Sequence, residues 1–286
     1  MNASLTRVDA HQHFWTLARP DYGWLTPALS PIYCDFQPAD LQPLLAQQQV
    51  SRTVLVQAAP TVAETDYMLA LAAQHSFVQG VVGWVDMEAA SAPAELERLA
   101  ANRVFKGVRP MLQDLPDASW IASAPIDAAV QALLRLGLSL DALVKTAYLP
   151  HLLRFAQRHP ALPIVIDHCA KPVVARGPGH MEFAQWRDGM AALAQLPQVC
   201  CKLSGLVTEV GVGWQPDMLS PYVDTVLELF GPQRLMWGSD WPVLNLAADY
   251  PAWVACSEQL LQRLDPASAQ AVWAGTAERF YRLSSV

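Results

Sequence analysis

Charge is scarce in this chain: only 16% of its 286 residues are Asp, Glu, Lys or Arg, and the formal net charge is −7. Binding to a phosphate backbone needs a basic stripe, and no cluster of Lys and Arg supplies one, so a nucleic-acid partner is not expected. No stretch reaches the roughly 18 uninterrupted apolar residues of a membrane span, and MNASLTRVDAHQ at the start lacks the apolar core of a secretory leader. A membrane partner is therefore not expected either. The five cysteines (Cys34, Cys169, Cys200, Cys201, Cys256) are odd in number and never fall in C-x-x-C spacing. Reduced thiols in a cytoplasmic protein are the expectation. What is plentiful is apolar character, 52% of all residues, enough for a sizeable core and too much for disorder.

Short apolar or β-branched runs recur along the whole length: SLTRVDAH, RTVLVQA, VQGVVGWV, VFKGVRP, LSLDALV, LPIVIDH, VCCKLSG and RLMWGSD. Each gap between them holds a helix-like segment. TVAETDYMLALAAQH opens with Thr61 and Glu64 in capping-box spacing and continues with apolar residues at helical period. APAELERLAANR, APIDAAVQALLRLG, YLPHLLRFAQRHP and SPYVDTVLELFG behave alike, with Pro125 suited to a first helical turn and Gly137 and Gly231 to helix ends. Near-continuous apolar strands alternating with amphipathic helices predict a parallel sheet covered on both faces. Eight such units predict an α/β chain folded as one (β/α)8 TIM barrel, a single domain over residues 1–286. A doubly wound open sheet is the alternative, but it would carry a glycine-rich phosphate loop after its first strand, where this chain reads HQHFWTLARPDYGWL. AQAVWAGTAERFYRL is expected to form a C-terminal helical extension docked on the body. The irregular stretch from Phe14 to Pro38 carries Trp15, Tyr22, Trp24, Tyr33 and Phe36, the mark of a loop packed over a site.

Barrel chemistry sits at the C-terminal ends of the strands, so the residues found there matter most. Strand one ends in His11 and His13, strand four in Arg109, strand six in His168 and strand eight in Asp240. Alternation along a strand places Asp9, His11 and His13 on one face. Lys106 lies an odd number of residues from Arg109 and should face the other way. Strands two and seven end in Gln57 and Ser204, and Asp141 should lie one layer deeper, with no assigned role.

In this order VDAHQHFW, VFKGVRP, IDHCAKP and WGSDWP resemble the amidohydrolase superfamily and, within it, the sugar-lactonase branch that includes L-fuconolactonases, L-rhamnonolactonases and pyrone-dicarboxylate lactonases. The resemblance spans nearly the whole chain. It departs from the binuclear members, because LSLDALV has no histidine and Lys106 is turned away, so a two-metal centre is not expected. The resemblance implies either a single Zn²⁺ on His11, His13, His168 and Asp240 or catalysis with no metal. It implies hydrolysis of a sugar-acid lactone, with Arg109, His168 and the other imidazoles polarising the carbonyl and Asp240 acting as general base and then acid. His11, His13, Lys171 and a wall of Trp15, Trp24 and Trp241 are the expected substrate contacts. A dianionic pyrone would call for several arginines, and only Arg109, with Arg176 as a possible second, lies near the rim. A neutral lactone, L-fucono-1,5-lactone foremost, is the expected small-molecule partner. A pyrone dicarboxylate, or a carboxylic acid for a zinc-dependent decarboxylase, are the alternatives.

Overall fold

The computed structural model describes residues 6–284; the expected start of the first strand at Ser4 lies outside the described residues. Eight strands follow one another around a parallel sheet in chain order: β1 (Arg7–Gln12), β2 (Val50–Val56), β3 (Val78–Gly83), β4 (Phe105–Val108), β5 (Ser139–Ala142), β6 (Ile164–Ile166), β7 (Val199–Leu203) and β8 (Leu235–Trp237). The ring closes just past β8, where the Asp240 amide donates to the His11 carbonyl at 2.8 Å and the His13 amide to the Trp241 carbonyl at 2.7 Å. This is the (β/α)8 barrel the alternation predicts. Its helices are α1 (Pro38–Gln47), α2 (Val62–Gln74), α3 (Ala92–Ala100), α4 (Trp120–Ser123), α5 (Asp127–Leu136), α6 (Leu149–Arg158), α7 (Met181–Ala194), α8 (Pro216–Phe230) and α9 (Tyr250–Leu261). Among the described residues no helix is long and apolar enough to cross a membrane.

The strands read as unbroken apolar runs because both faces are buried. Val54 and Val56 pack inside the barrel with Val8, Ala10, Val82, Val165 and Met236. Leu55, Val81, Phe105 and Val108 face outward into a second cluster shared with the helices. Local signals hold with adjustments. The Thr61 hydroxyl accepts from the Glu64 amide at 3.1 Å, but Glu64 does not complete the box. Its carboxylate accepts instead from the Ala58 and Ala59 amides at the end of β2, orphan donors that it reaches at 2.7–3.1 Å. Pro125 stands outside α5, whose N-cap is Ile126. Helix α8 starts at Pro216, ahead of the segment its apolar spacing marks.

The C-terminal extension forms one helical run, α10 (Pro266–Gln270), a wider-wound turn at Ala271–Gly275 and α11 (Thr276–Tyr281). It covers the N-terminal ends of the strands. Ala274, Ala277 and Tyr281 join the interior cluster, Arg52 of β2 bonds Glu278, and Lys106 of β4 donates to the Arg282 carbonyl at 3.2 Å. Chemistry is left the opposite rim.

Candidate active site

At the end of β1 the strand changes phase, with a register irregularity between Asp9 and Gln12. Asp9 therefore leaves the face expected of it. Its carboxylate turns to the seam with β8, accepting from the Ser239 amide and hydroxyl at 2.8 and 2.6 Å and from the Tyr250 hydroxyl at 3.0 Å. His11 and His13 do share a face, with their Nε2 atoms 3.2 Å apart. Asp240 Oδ1 lies 3.3 Å from His13 Nε2, 3.7 Å from His11 Nε2 and 3.7 Å from His168 Nε2. The first, sixth and eighth units thus meet around one carboxylate oxygen.

Backbone conformation aims two of these groups. Residues 168–171 after β6 (His168, Cys169, Ala170, Lys171) run in the left-handed region with φ of 46–61°, and Asp240 sits at φ 60°. Each costs a non-glycine residue roughly 1–2 kcal/mol, so the surrounding packing must enforce them. Part of that packing is Gly205: a Cβ there would lie 2.6 Å from His168 Nδ1. The imidazole rests against bare backbone and bonds the Ser204 hydroxyl at 2.9 Å.

Arg109 from β4 is buried and nearly spent. Its Nε and Nη2 donate to Gln57 Oε1 at 3.2 and 2.9 Å, Nη2 also donates to the Gln57 carbonyl, and Nη1 faces Asp167 Oδ2 at 3.4 Å. A guanidinium has five N–H groups, and the fifth, on Nη1, has only a long 3.5 Å approach to His11 Nε2, so it is the one that can turn to a ligand. Gln57 answers by donating to the Arg109 carbonyl at 3.0 Å.

Beneath the rim lies a layer that sequence reasoning did not assign. Lys202 of β7 is fully buried. Its Nζ reaches Asp141 Oδ2 at 2.6 Å, Asp167 Oδ1 at 3.0 Å and His11 Nδ1 at 3.1 Å. Tyr281 of α11 donates to the same Asp141 oxygen at 2.6 Å. Two signals pointed there: a lysine inside the apolar run VCCKLSG, and Asp167 directly before His168.

Burial governs the titration of the histidines, because it disfavours the imidazolium. It lowers His13, holds His11 well below its ordinary value and takes His168 down to about 4. All three are neutral at neutral pH. Burial pushes Asp240 the other way, but attraction to the charge that His168, His11 and His13 take on in acid, with the His13 contact, outweighs it and holds the carboxyl well below the usual range. Asp240 is ionised. Among the fixed charges, Lys202 and Arg109 balance Asp141 and Asp167, and the charge of Asp240 is left facing imidazole.

Above the cluster opens a cavity of about 280 Å³ lined by His13, Arg109, His168, Lys171 and Asp240, with Trp24, Leu29, Ala58, Val243 and Leu246 among its apolar residues. Met111, Gln113, Asp114 and Leu143 complete it. Trp24 and Lys171 therefore stand where the sequence suggested, whereas Trp15 and Trp241 do not line the cavity. Trp15 is buried behind His13, its indole donating to the Cys34 carbonyl at 2.8 Å, and Trp241 packs edge-on against Phe14 and Phe36. His11 is likewise buried, one step below the cavity wall. Arg176 points elsewhere, to Glu182 at 3.0 Å on the surface.

Two acceptors confront each other at the cluster's centre. His13 Nδ1 lies 2.7 Å from the Val56 carbonyl, which can only accept, so the one proton of the neutral ring is on Nδ1. Its Nε2 lone pair then faces Asp240. Among the described residues, one ligand atom each from His11, His13 and Asp240 lie within 4.8 Å of one another, and so do those of His11, Asp167 and His168. Such a set of imidazole nitrogens and a carboxylate oxygen fits zinc by donor type, and His13 is braced for it through the Val56 carbonyl on its other nitrogen.

Comparison with known proteins places this geometry among relatives. The amidohydrolase family profile matches residues 8–283. The chain is 49% identical over 283 residues to an L-fucono-1,5-lactonase of Burkholderia ambifaria, covering 97% of this chain and 96% of that protein. It is 38% identical over 289 residues to an L-fucono-1,5-lactonase of Burkholderia multivorans, with the same coverage. The crystal structure of an amidohydrolase from Burkholderia multivorans with bound zinc superposes with a TM-score of 0.91 at 37% identity, over 98% of this chain and 100% of that one.

Proposed function

The chain belongs to the amidohydrolase family, and from that premise we propose that it hydrolyses a neutral sugar-acid lactone, L-fucono-1,5-lactone foremost, to the open aldonic acid. The observation that carries the reading is the ionised Asp240 held within 3.7 Å of three neutral imidazoles at the floor of a small cavity. The likeness to two L-fucono-1,5-lactonases supports the choice of substrate.

Opening a lactone requires a proton acceptor for the attacking water and donors for the oxygen that becomes an oxyanion. Asp240 is the acceptor, and it then returns the proton to the ring oxygen as the acyl–oxygen bond breaks. The remaining guanidinium N–H of Arg109 and the Lys171 ammonium are the donors at the cavity wall. His168 joins them when Ser204 donates to its Nδ1, which leaves the proton on Nε2. Fixed donors in a buried site need no reorientation as charge develops. His13 plays another part than the carbonyl polarisation the sequence suggested, since its Nε2 has no proton to give; it holds Asp240 and the water instead. The apolar residues Trp24, Leu29, Val243 and Leu246 suit the carbon face of a sugar ring.

His11, His13, His168 and Asp240 would hold a single zinc ion, which when bound supplies Lewis acidity beside the attacking water. The neutral-substrate reading rests on the charges: Arg109 is already committed to Asp167 and Gln57, and Lys171 is the other cation at the wall, too little for a dianion. The test is a panel of aldonolactones, a pyrone dicarboxylate and an aromatic carboxylic acid, with acid release followed by a pH dye and CO₂ release measured alongside, before and after chelation. Rapid opening of L-fucono-1,5-lactone is expected. Turnover confined to the pyrone, or CO₂ from the carboxylic acid, would contradict the reading.

A further inference from the structure

Lys202 is a lysine with no solvent, no substrate contact and a histidine at its tip. We propose that it is a positioning residue which fixes His11 as an Nε2–H donor, so that a zinc ion entering the site must displace a proton that Lys202 holds in place. The inference concerns the protein's own proton arrangement and stands whether or not the substrate is a lactone.

The argument is one of counting donors. An ammonium carries three protons and no lone pair. Lys202 spends one on Asp141 Oδ2 at 2.6 Å and faces Asp167 Oδ1 at 3.0 Å. Its third neighbour is His11 Nδ1 at 3.1 Å, within hydrogen-bond geometry. A nitrogen that accepts from an ammonium has no proton of its own, so the ring's proton is on Nε2. Charge supports a neutral ring, because Lys202 and Arg109 already balance Asp141 and Asp167.

The Nε2–H then finds a partner. His13 Nε2 is 3.2 Å away and bare, since the His13 proton is committed to the Val56 carbonyl. A single chain of hydrogen bonds results: Lys202 to His11, His11 to His13, His13 to Val56. It also relieves the meeting of lone pairs between His13 and Asp240. Two contacts favour the other tautomer, Asp167 Oδ1 at 3.4 Å from His11 Nδ1 and Arg109 Nη1 at 3.5 Å from His11 Nε2. Both are longer than the 3.1 Å Lys202 bond, and Lys202 already faces Asp167 Oδ1 at 3.0 Å.

Metal ligation reverses this arrangement. Coordination through Nε2 needs that nitrogen bare and the proton on Nδ1, where the Lys202 ammonium already points. Second-layer partners of ligating histidines normally accept that proton and raise affinity, typically by about 10–100-fold. Lys202 does the opposite, leaving the site assembled by hydrogen bonds alone.

The experiment has two arms. Long-range ¹H–¹⁵N correlation on metal-stripped, histidine-labelled protein reads the His11 tautomer directly, with His11→Gln assigning the signal. The Nε2–H form is expected. The double variant Asp141→Asn, Lys202→Met removes both charges of the pair and keeps the net charge. It should shift His11 toward Nδ1–H and tighten zinc binding by about tenfold or more, measured by competition with a chromogenic chelator. A structural defect would loosen the metal instead. An Nδ1–H signal in the wild type, or unchanged or weaker zinc affinity in a folded variant, would overturn the proposal; should the variant not fold, the wild-type spectrum decides alone.

Discussion

Asp240 draws its properties from its neighbours. A carboxylate among neutral imidazoles keeps its charge, and each imidazole keeps its neutrality through burial. The pH dependence follows with a definite sign. His168 is neutral above its value of about 4 and Asp240 is ionised above a still lower one, so both are in their working states at neutral pH. The rate constant kcat/KM should stay level from neutral pH downward and fall only as pH drops through about 4, where His168 takes a proton and Asp240 loses basicity. A steady-state pH profile with substrate stability controlled would show this. In metal-stripped protein an acid limb at about 6.5 would mean an unperturbed imidazole and would contradict the assignment, whereas a limb at about 7 that appears only on adding zinc would mark metal-activated water.

At the scale of elements, strand ends were the legible part of the chain. Apolar runs and their alternation with helices marked all eight strands, and the polar residues ending β1, β4 and the turns after β6 and β8 marked the rim. Phase was not legible. The irregularity after Asp9 that turns it to the seam while His11 and His13 face inward arises from pairing with β2, a tertiary effect that local alternation does not encode. The tryptophans were ambiguous for a related reason: Trp15, Trp24 and Trp241 have the same chemistry, and only loop packing separates the one at the cavity from the two behind it. The turn after β6 offers a test. Gly205→Ala combines a left-handed φ of 67° with a Cβ 2.6 Å from His168 Nδ1, whereas Gly137→Ala has a left-handed φ of 64° and meets only the Arg282 side chain, away from the site. At about 1–2 kcal/mol for the backbone, both should melt lower by about 2–8 °C. Only Gly205→Ala should also lose kcat/KM, through displacement of His168. Equal activity in the two variants would show that Gly205 does not hold the imidazole.

Across the whole molecule, the barrel joins groups that the chain keeps far apart. His11 and Asp240 meet because the ring closes between β1 and β8, and Tyr281 reaches Asp141 because the last helix covers the opposite end. Lys202 lies between these ends, linking Asp141 below to His11 above. This layer was hardest to read, since a buried lysine declares itself only when its partners from β1, β5 and β6 are in place. The decisive measurement is the rate of opening of L-fucono-1,5-lactone by wild-type protein and by Asp240→Asn, with melting temperature recorded for both. Loss of a general base costs about 10²–10⁴ in rate, so the variant should fall by that factor while melting no lower than the wild type. A folded Asp240→Asn protein that opens the lactone at the wild-type rate would contradict the account.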